Sequence, residues 1–339
     1  MSTIILASLG VGLFAVSTLL WALSLCAGLH WAKIPTVTMR RIALATILVL
    51  LLQIVDMMVS SLVSSTSHLG LLVLAIGEFV GVTLATCLII VLVFKATFWR
   101  ALQAWLPTLA TPLVMLPVVW FVIVPFVFEG FKSPTNAMAP TLLGDHWQAA
   151  CVECGGPAYC SPRPQEFDSL DAPEMICRDN FHVTQPTESA KRVFSPDRFI
   201  VAKFLTPQRW DVVAFRFPGD RSNLYVMRLV GLPGEEITIK DGEVWVNDQV
   251  APRPDAIRGI KFLSEVPGSP GDLWGSPQRP AKLEADEYFV LGDFSSRSFD
   301  SRLWEQGAFG HNPFAVPQTH MMGVVTHIYW PPSRWRTLR

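Results

Sequence analysis

Residues 223–248 read NLYVMRLVGLPGEEITIKDGEVWVND. Runs of β-branched, aromatic and apolar residues are broken first by Leu232-Pro233-Gly234 and then by Asp241-Gly242. An Asp-Gly pair between two such runs suits a type I′ turn, whose central residues both need positive φ, so 238–246 is expected to be a tight β-hairpin. The same texture extends in both directions, in RFIVAKFL (198–205), WDVVAFRFP (210–218), DEYFVLGD (286–293) and GVVTHIYWP (323–331). No helical period of useful length interrupts it. The C-terminal part is therefore expected to be a mainly antiparallel β domain, with loops or insertions at 161–196 and 251–283, which are rich in Pro, Gly and charge. No internal repeat is present.

The chain has 339 residues, half of them hydrophobic, and a formal net charge of −1, which argues against nucleic acid or any other strongly charged partner. The charge is unevenly spread. Residues 1–128 carry seven charged side chains: Lys33, Arg40, Arg41, Asp56, Glu78, Lys95 and Arg100. The other 48 lie in 129–339. The fold class expected is thus an α-helical membrane region, 1–128, followed by a water-exposed β domain, 129–339. Crossing a bilayer core takes ~20 apolar residues of helix. Four stretches qualify, at about 4–28, 42–63, 69–94 and 106–128. The first has no basic leader and is followed by three more, so it is not read as a cleaved signal sequence. Pro112, Pro117 and Pro125 predict kinks in the fourth.

Lys33, Arg40 and Arg41 fall in the first loop of this region, and Lys95 and Arg100 in the third. With four spans both loops lie on one side, which the positive-inside rule makes cytoplasmic. The chain is then an integral protein of the plasma (inner) membrane, with its N-terminus and β domain extracytoplasmic. Asp56 and Glu78 lie at similar depth inside the spans, and Gln53, Asp56 and Ser60 share a helix face. Such acids read either as an ion or proton site or as polar links between helices.

At 133–142 the chain leaves the apolar region as SPTNAMAPTL. Its core, Thr135-Asn136-Ala137-Met138-Ala139-Pro140-Thr141-Leu142, resembles the S-x-S-M-x-P-T-L nucleophile segment of the type I signal peptidase (leader peptidase) family, membrane-anchored Ser–Lys serine peptidases. RFIVAKF and RWDVVAFRFP resemble that family's second and third boxes. YVMRLVGLPGE (225–235) resembles Y-I-K-R-V-V-G-L-P-G-D, and GDFSSRSFDSRLW (292–304) resembles G-D-N-R-D-N-S-x-D-S-R-x-W. HIYWPPSRW closes the series. The boxes keep the family's order over about 200 residues. The resemblance implies a signal-peptidase-type β domain at the outer membrane surface that binds the cleavage-site region of signal peptides as an added strand. It implies no cofactor. It places 132–136 and 224–227 along the substrate groove, with Ser133, Pro134, Asn136, Met138, Tyr225 and Val226 as substrate-binding residues.

The resemblance also shows a loss. The family's nucleophilic Ser corresponds to Ala137, and its general-base Lys to Met227. A methyl group cannot attack a carbonyl, and a thioether cannot take its proton at neutral pH. Thr135 corresponds to a hydroxyl that supports the oxyanion hole in relatives. Ser298, Asp300 and Arg302 correspond to residues that support the Lys, and Asp300 with Arg302 also reads as a domain-holding pair. Phe294, Ser295, Ser296 and Arg297 depart from N-R-D-N. Losing the nucleophile or base of such a pair costs roughly 10⁴- to 10⁶-fold in rate. The chain is therefore expected to be an inactive member that binds signal peptides or an active relative. The alternatives are an active peptidase using Ser133 or Thr135, and a structural membrane module stabilised by zinc.

Cys26 and Cys87 fall inside the spans. Cys151, Cys154, Cys160 and Cys177 lie in an insertion at about 146–196, between the first two boxes. Cys151-Val-Glu-Cys154-Gly-Gly has the spacing of a zinc knuckle. The four outer cysteines are a candidate structural zinc set, with His146 or His182 as substitutes. Two disulfides and free thiols remain the rival readings.

Overall fold

The computed structural model describes residues 2–62, 68–162, 174–185, 192–265 and 272–338, with no side chains described at 2–10, 57, 59–62, 68, 69, 71 and 72. The chain separates into two compact units, 3–122 and 123–339.

The first unit is helical. It contains α1 (Ser2–Trp31), α2 (Met39–Leu62), α3 (His68–Phe94) and a longer run opening with α4 (Phe98–Trp105). Among the described residues three helices are long and apolar enough to cross a membrane: Val11–Trp31, Val73–Phe94 and Phe98–Phe126. The second expected span forms helix α2, which is not in that set: its described side chains run continuously only over 39–56, which includes Arg40, Arg41 and Asp56. Its expected end at Val63 lies outside the described residues. The last span begins at Phe98 instead of 106, so Arg100 sits in its first turns. Its winding changes repeatedly: 3₁₀ over Leu106–Leu109, α over Ala110–Val118, π over Val119–Ile123 and α again over Val124–Phe126. Prolines, which lack an N–H and clash with the preceding turn, interrupt the regular ladder there.

The end of α1, the start of α2, the end of α3 and the start of α4 pack into one apolar cluster that includes Leu29, Ile42, Phe94 and Ala101. Thr36 Oγ1 donates to the Phe94 carbonyl at 2.6 Å. A Cβ on Gly28 would lie 2.0 Å from the Ala104 carbonyl oxygen, so a glycine is what lets α1 and α4 approach this closely. Gln53, Asp56 and Glu78 line a cavity of about 640 Å³ within this unit; the side chain of Ser60, placed on the same face by its spacing, is outside the described residues.

The second unit is built on three sheets, and every described strand pairing in them is antiparallel. The main sheet runs in the spatial order Phe128–Lys132, Arg198–Ala202, Met321–Trp330, Val212–Phe217, Asp220–Gly231, Glu287–Leu291, Val316–Pro317, with Arg336–Thr337 added beside Met321–Trp330. Leu229 and Val290 face one core with Phe199, Phe215 and Trp304. Val230 and Leu291 face a second core with Trp210, Ile237, Ile239 and Phe262. The central strands are buried on both faces, which is why they read as nearly continuous apolar runs. The second sheet holds the expected hairpin: Lys240 pairs with Glu243 across Asp241 (φ 54°) and Gly242 (φ 81°), the two positive values a type I′ turn requires. The third sheet, of Trp147–Ala150, Pro157–Cys160, Met175–Cys177 and Val183–Thr184, belongs to the cysteine-bearing insertion.

Candidate functional site

Two segments far apart in sequence build the site. One is the turn that follows Phe128–Lys132; the other is the strand Asp220–Gly231. This strand pairs along 224–228 with Val212–Arg216 on one side. On its other side Glu287–Leu291 pairs with Arg228, Leu229 and Gly231. Where that second pairing stops, a cleft of about 440 Å³ begins. Ser133, Pro134, Thr135, Ala137 and Met138 form one wall, Asn223–Met227 the other, and Arg297 and Phe299 complete it.

Ala137 and Met227 both line this cleft, 90 positions apart in sequence. Continuing the register from Arg228 opposite Leu291 brings Gly292 alongside Met227. A Cβ on Gly292 would lie 2.1 Å from Ser298 Oγ and 2.7 Å from the Ala137 carbonyl oxygen, so a glycine is needed for the segments to close up. The Ala137 carbonyl accepts from the Phe294 N–H at 3.0 Å, which fixes the turn against the 292–304 loop. Met227 is buried in the main core with Met138 and Val226, apolar surroundings that suit a thioether. Ser298 Oγ is buried and has no hydrogen-bond partner among the described residues.

The other expected residues divide. Ser133, Pro134, Met138, Tyr225 and Val226 line the cleft. Asn136 does not: its Oδ1 accepts from the Gly144 N–H at 2.9 Å and its Nδ2 donates to the Asp145 carbonyl at 2.7 Å, so it braces the turn from behind. Thr135 Oγ1 faces the Ala137 N–H at 3.4 Å. Ser133 Oγ donates to the Thr135 carbonyl at 3.2 Å. Among the described lining residues there is no Lys, His, Asp or Glu to act as a general base.

Two buried ion pairs hold the walls. Arg228 donates from Nε and Nη2 to the two Asp293 oxygens at 2.6 and 2.5 Å, and from Nη1 to the Trp210 carbonyl at 2.6 Å. Thr141 Oγ1 also donates to Asp293. Asp300 binds Arg302 in a fork at 2.8 and 2.7 Å and accepts the Gly292 N–H at 3.0 Å, while Arg302 reaches Leu263 and Ser295. Each guanidinium has its fork filled, the arrangement that lets a buried charge persist.

Sequence reading missed the clasp from the far end of the domain. Arg334 Nε and Nη2 hold Asp197 at 2.7 and 2.8 Å, and Asp197 accepts the Leu143 N–H at 2.9 Å. Arg334 and Arg336 also donate to the Pro140 and Thr141 carbonyls. Arg297, which stands in the divergent box, was likewise not foreseen as a lining residue. Burial pulls its guanidinium below the ordinary arginine range, and Glu174 faces it at 3.2 Å.

In the insertion, the ligand atoms of Cys151, Cys154 and His182 lie within 4.8 Å of one another. Cys177 Sγ lies 3.4 Å from Cys154 Sγ. Cys160 and Cys177, both expected among the ligands, lie outside this group of three; burial pushes the Cys160 thiol up to about 11. All six cysteines are free thiols in this structure.

A family profile described as "Signal peptidase, peptidase S26" matches residues 179–330. Among curated proteins the chain is similar to signal peptidase I of Rickettsia prowazekii (strain Madrid E), with 32% identity over 149 residues, 37% of this chain and 54% of that protein. It is also similar to signal peptidase I of Leptolyngbya laminosa (29% over 150 residues, 41% and 62%) and of Pseudomonas aeruginosa PAO1 (27% over 150 residues, 39% and 53%). Over residues 179–330 the chain matches the type I signal peptidase family. It spans about half the length of the Rickettsia and Pseudomonas members of that family. A crystal structure of a signal peptidase I from Enterococcus faecalis V583 matches with 29% identity over 36% of this chain and 98% of the other, at a TM-score of 0.26, too low to speak to the fold. The profile match takes in Met227, Asp293, Ser298, Asp300 and Arg302 and begins after Ala137.

Proposed function

We propose that this chain is a catalytically silent signal peptidase I-like protein, held in the membrane by four helices, whose cleft binds the extended cleavage-site region of signal peptides. The observation that carries the reading is the cleft itself: it is open and bounded by a strand edge, yet Ala137 and Met227 stand where the family's Ser and Lys belong. Backbone pairing along such an edge gives affinity without any nucleophile. An active signal peptidase is the second partner proposed, since a silent relative that retains the groove can hold substrate for it.

The four-span arrangement is supported by the packing of the α1 end, the α2 start and the α3 end in one cluster, with Thr36 bonded to Phe94. That packing puts Lys33, Arg40 and Arg41 at the same end as Lys95 and Arg100. Positive-inside then makes this end cytoplasmic and the β unit extracytoplasmic.

The test is cleavage of a standard preprotein by the purified chain in detergent, beside an Ala137→Ser/Met227→Lys variant. The natural chain is expected to leave the preprotein intact while binding it, and the double variant to cut it at the signal-peptide junction. Cutting at that junction by the natural chain would overturn the reading, and Ser133 and Thr135 would then be the hydroxyls to replace.

A further inference from the structure

The insertion contains two turns that the cleft chemistry does not use, and they face each other. In the first, the Gly155 N–H donates to the Cys151 carbonyl at 2.8 Å and the Cys151 N–H to the Gly156 carbonyl at 2.7 Å. Gly155 has φ +72°, a left-handed value that favours glycine directly after the second cysteine. The Gly156 N–H points at Cys154 Sγ. In the second turn, the Phe181 N–H donates to the Cys177 carbonyl at 3.1 Å, and the Cys177 N–H to the His182 carbonyl at 2.8 Å. The N–H groups of Asp179 and Asn180 point at Cys177 Sγ. Both turns aim backbone N–H groups at a cysteine sulfur.

Across the gap, Cys154 Sγ is 3.4 Å from Cys177 Sγ, and Cys151 Sγ is 3.9 Å from His182 Nδ1. We infer that Cys151, Cys154, Cys177 and His182 form a structural Zn²⁺ site. A tetrahedral zinc with Zn–S near ~2.3 Å and Zn–N near ~2.0 Å separates two sulfurs by about 3.8 Å and a sulfur from a nitrogen by about 3.5 Å. The sulfur pair lies about 0.4 Å inside its value and the sulfur–nitrogen pair about 0.4 Å outside. A disulfide would need about 2.05 Å between sulfurs and would leave Cys151 and His182 without a role. Four protein ligands leave no open position for water or substrate, which marks the site as structural. Glu153 Oε2 lies 3.2 Å from the same His182 Nδ1 that faces Cys151, so zinc would take the place of that contact. Cys160 is excluded from the set and His182 takes its place.

The metal fastens more than its own loops. Tyr159 and Ile176 of the same sheet pack on Ala139, Leu143 and Phe294, which back the cleft turn. Glu174, three residues before Cys177, accepts from Ser296 Oγ at 2.8 Å and Arg297 Nε at 3.2 Å. Metal binding and folding of such a site are one equilibrium, so zinc would set the rigidity of this wall.

Elemental analysis of the full chain, purified in detergent without added metal or chelator, tests the site. One zinc per chain is expected, retained in Cys160→Ser and lost in Cys177→Ser and His182→Ala. Because a ligand variant can fail to fold, the natural chain exchanged with Co²⁺ supplies a second readout, the visible absorption of tetrahedral thiolate coordination. Neither readout depends on peptide binding or cleavage. A Cys154–Cys177 disulfide in the non-reducing peptide map, zinc-free chain with all four thiols open to alkylation, or zinc that survives Cys177→Ser but not Cys160→Ser would each overturn the inference.

Discussion

A buried hydroxyl that finds no partner costs the folded state free energy, and Ser298 Oγ is in that position beside the glycine that faces Met227. The resemblance implies that this position supports a Lys; here Met227 stands in that place, with no N–H or O–H to offer. Ser298→Ala is therefore expected to leave stability unchanged or raise it by about 1 kcal/mol in the natural chain, read by thermal unfolding. In the Ala137→Ser/Met227→Lys background the same change is expected to slow cleavage. A clear loss of stability in the natural chain would mean that the hydroxyl is bonded after all. Ala137 and Met227 were legible in the sequence because each sits inside a contiguous box. The partners Arg228–Asp293 and Asp197–Arg334 were not, since their pairing depends on folds of 65 and 137 residues that no local pattern encodes. His182 was readable only as one of two substitutes, with His146, in the candidate zinc set.

At the scale of elements, the loops around Glu287–Leu291 show how an acid can organise a strand end. Glu287 is fully buried at the start of the strand. Burial alone would raise its pKa. The Glu284 N–H at 3.0 Å, the Asn312 Nδ2 at 2.7 Å and N–H at 2.8 Å, and His311 nearby reverse that and hold it below the ordinary carboxylate range. A depressed folded-state pKa gives stability that is complete above the unfolded value of ~4.3 and is lost as pH falls through the folded value. The gap in melting temperature between the natural chain and Glu287→Gln is thus expected to be largest near neutrality and to close as the pH drops below ~4. A gap that stays constant with pH would show that the carboxylate charge is not what the two loops grip. The hairpin at Asp241-Gly242 was legible because the turn chemistry is local. The early start of the last span at Phe98 was not: Pro107 falls at the start of the 3₁₀ turn Leu106–Leu109, where its missing N–H disturbs few bonds, so the run from Phe98 continues through it. The division of the β unit into three sheets was also hidden, because strand runs name their members but not their neighbours.

For the whole molecule, the number of crossings decides which loops share a side. With α2 crossing, positions 35 and 97 lie on one face of the membrane; without it they lie on opposite faces. Cysteines introduced as Pro35→Cys and Thr97→Cys are expected to react with a membrane-impermeant maleimide only when the cytoplasmic face is opened. Labelling of the two from opposite sides would remove α2 from the set of spans. Composition made the division into membrane and β parts plain. The Arg334 clasp has a further consequence, in time. Arg334 grips the Pro140 carbonyl across 194 residues of sequence, so the turn that floors the cleft is made early by the ribosome and secured last. A nascent chain halted anywhere before the clasp emerges would carry an unlatched cleft.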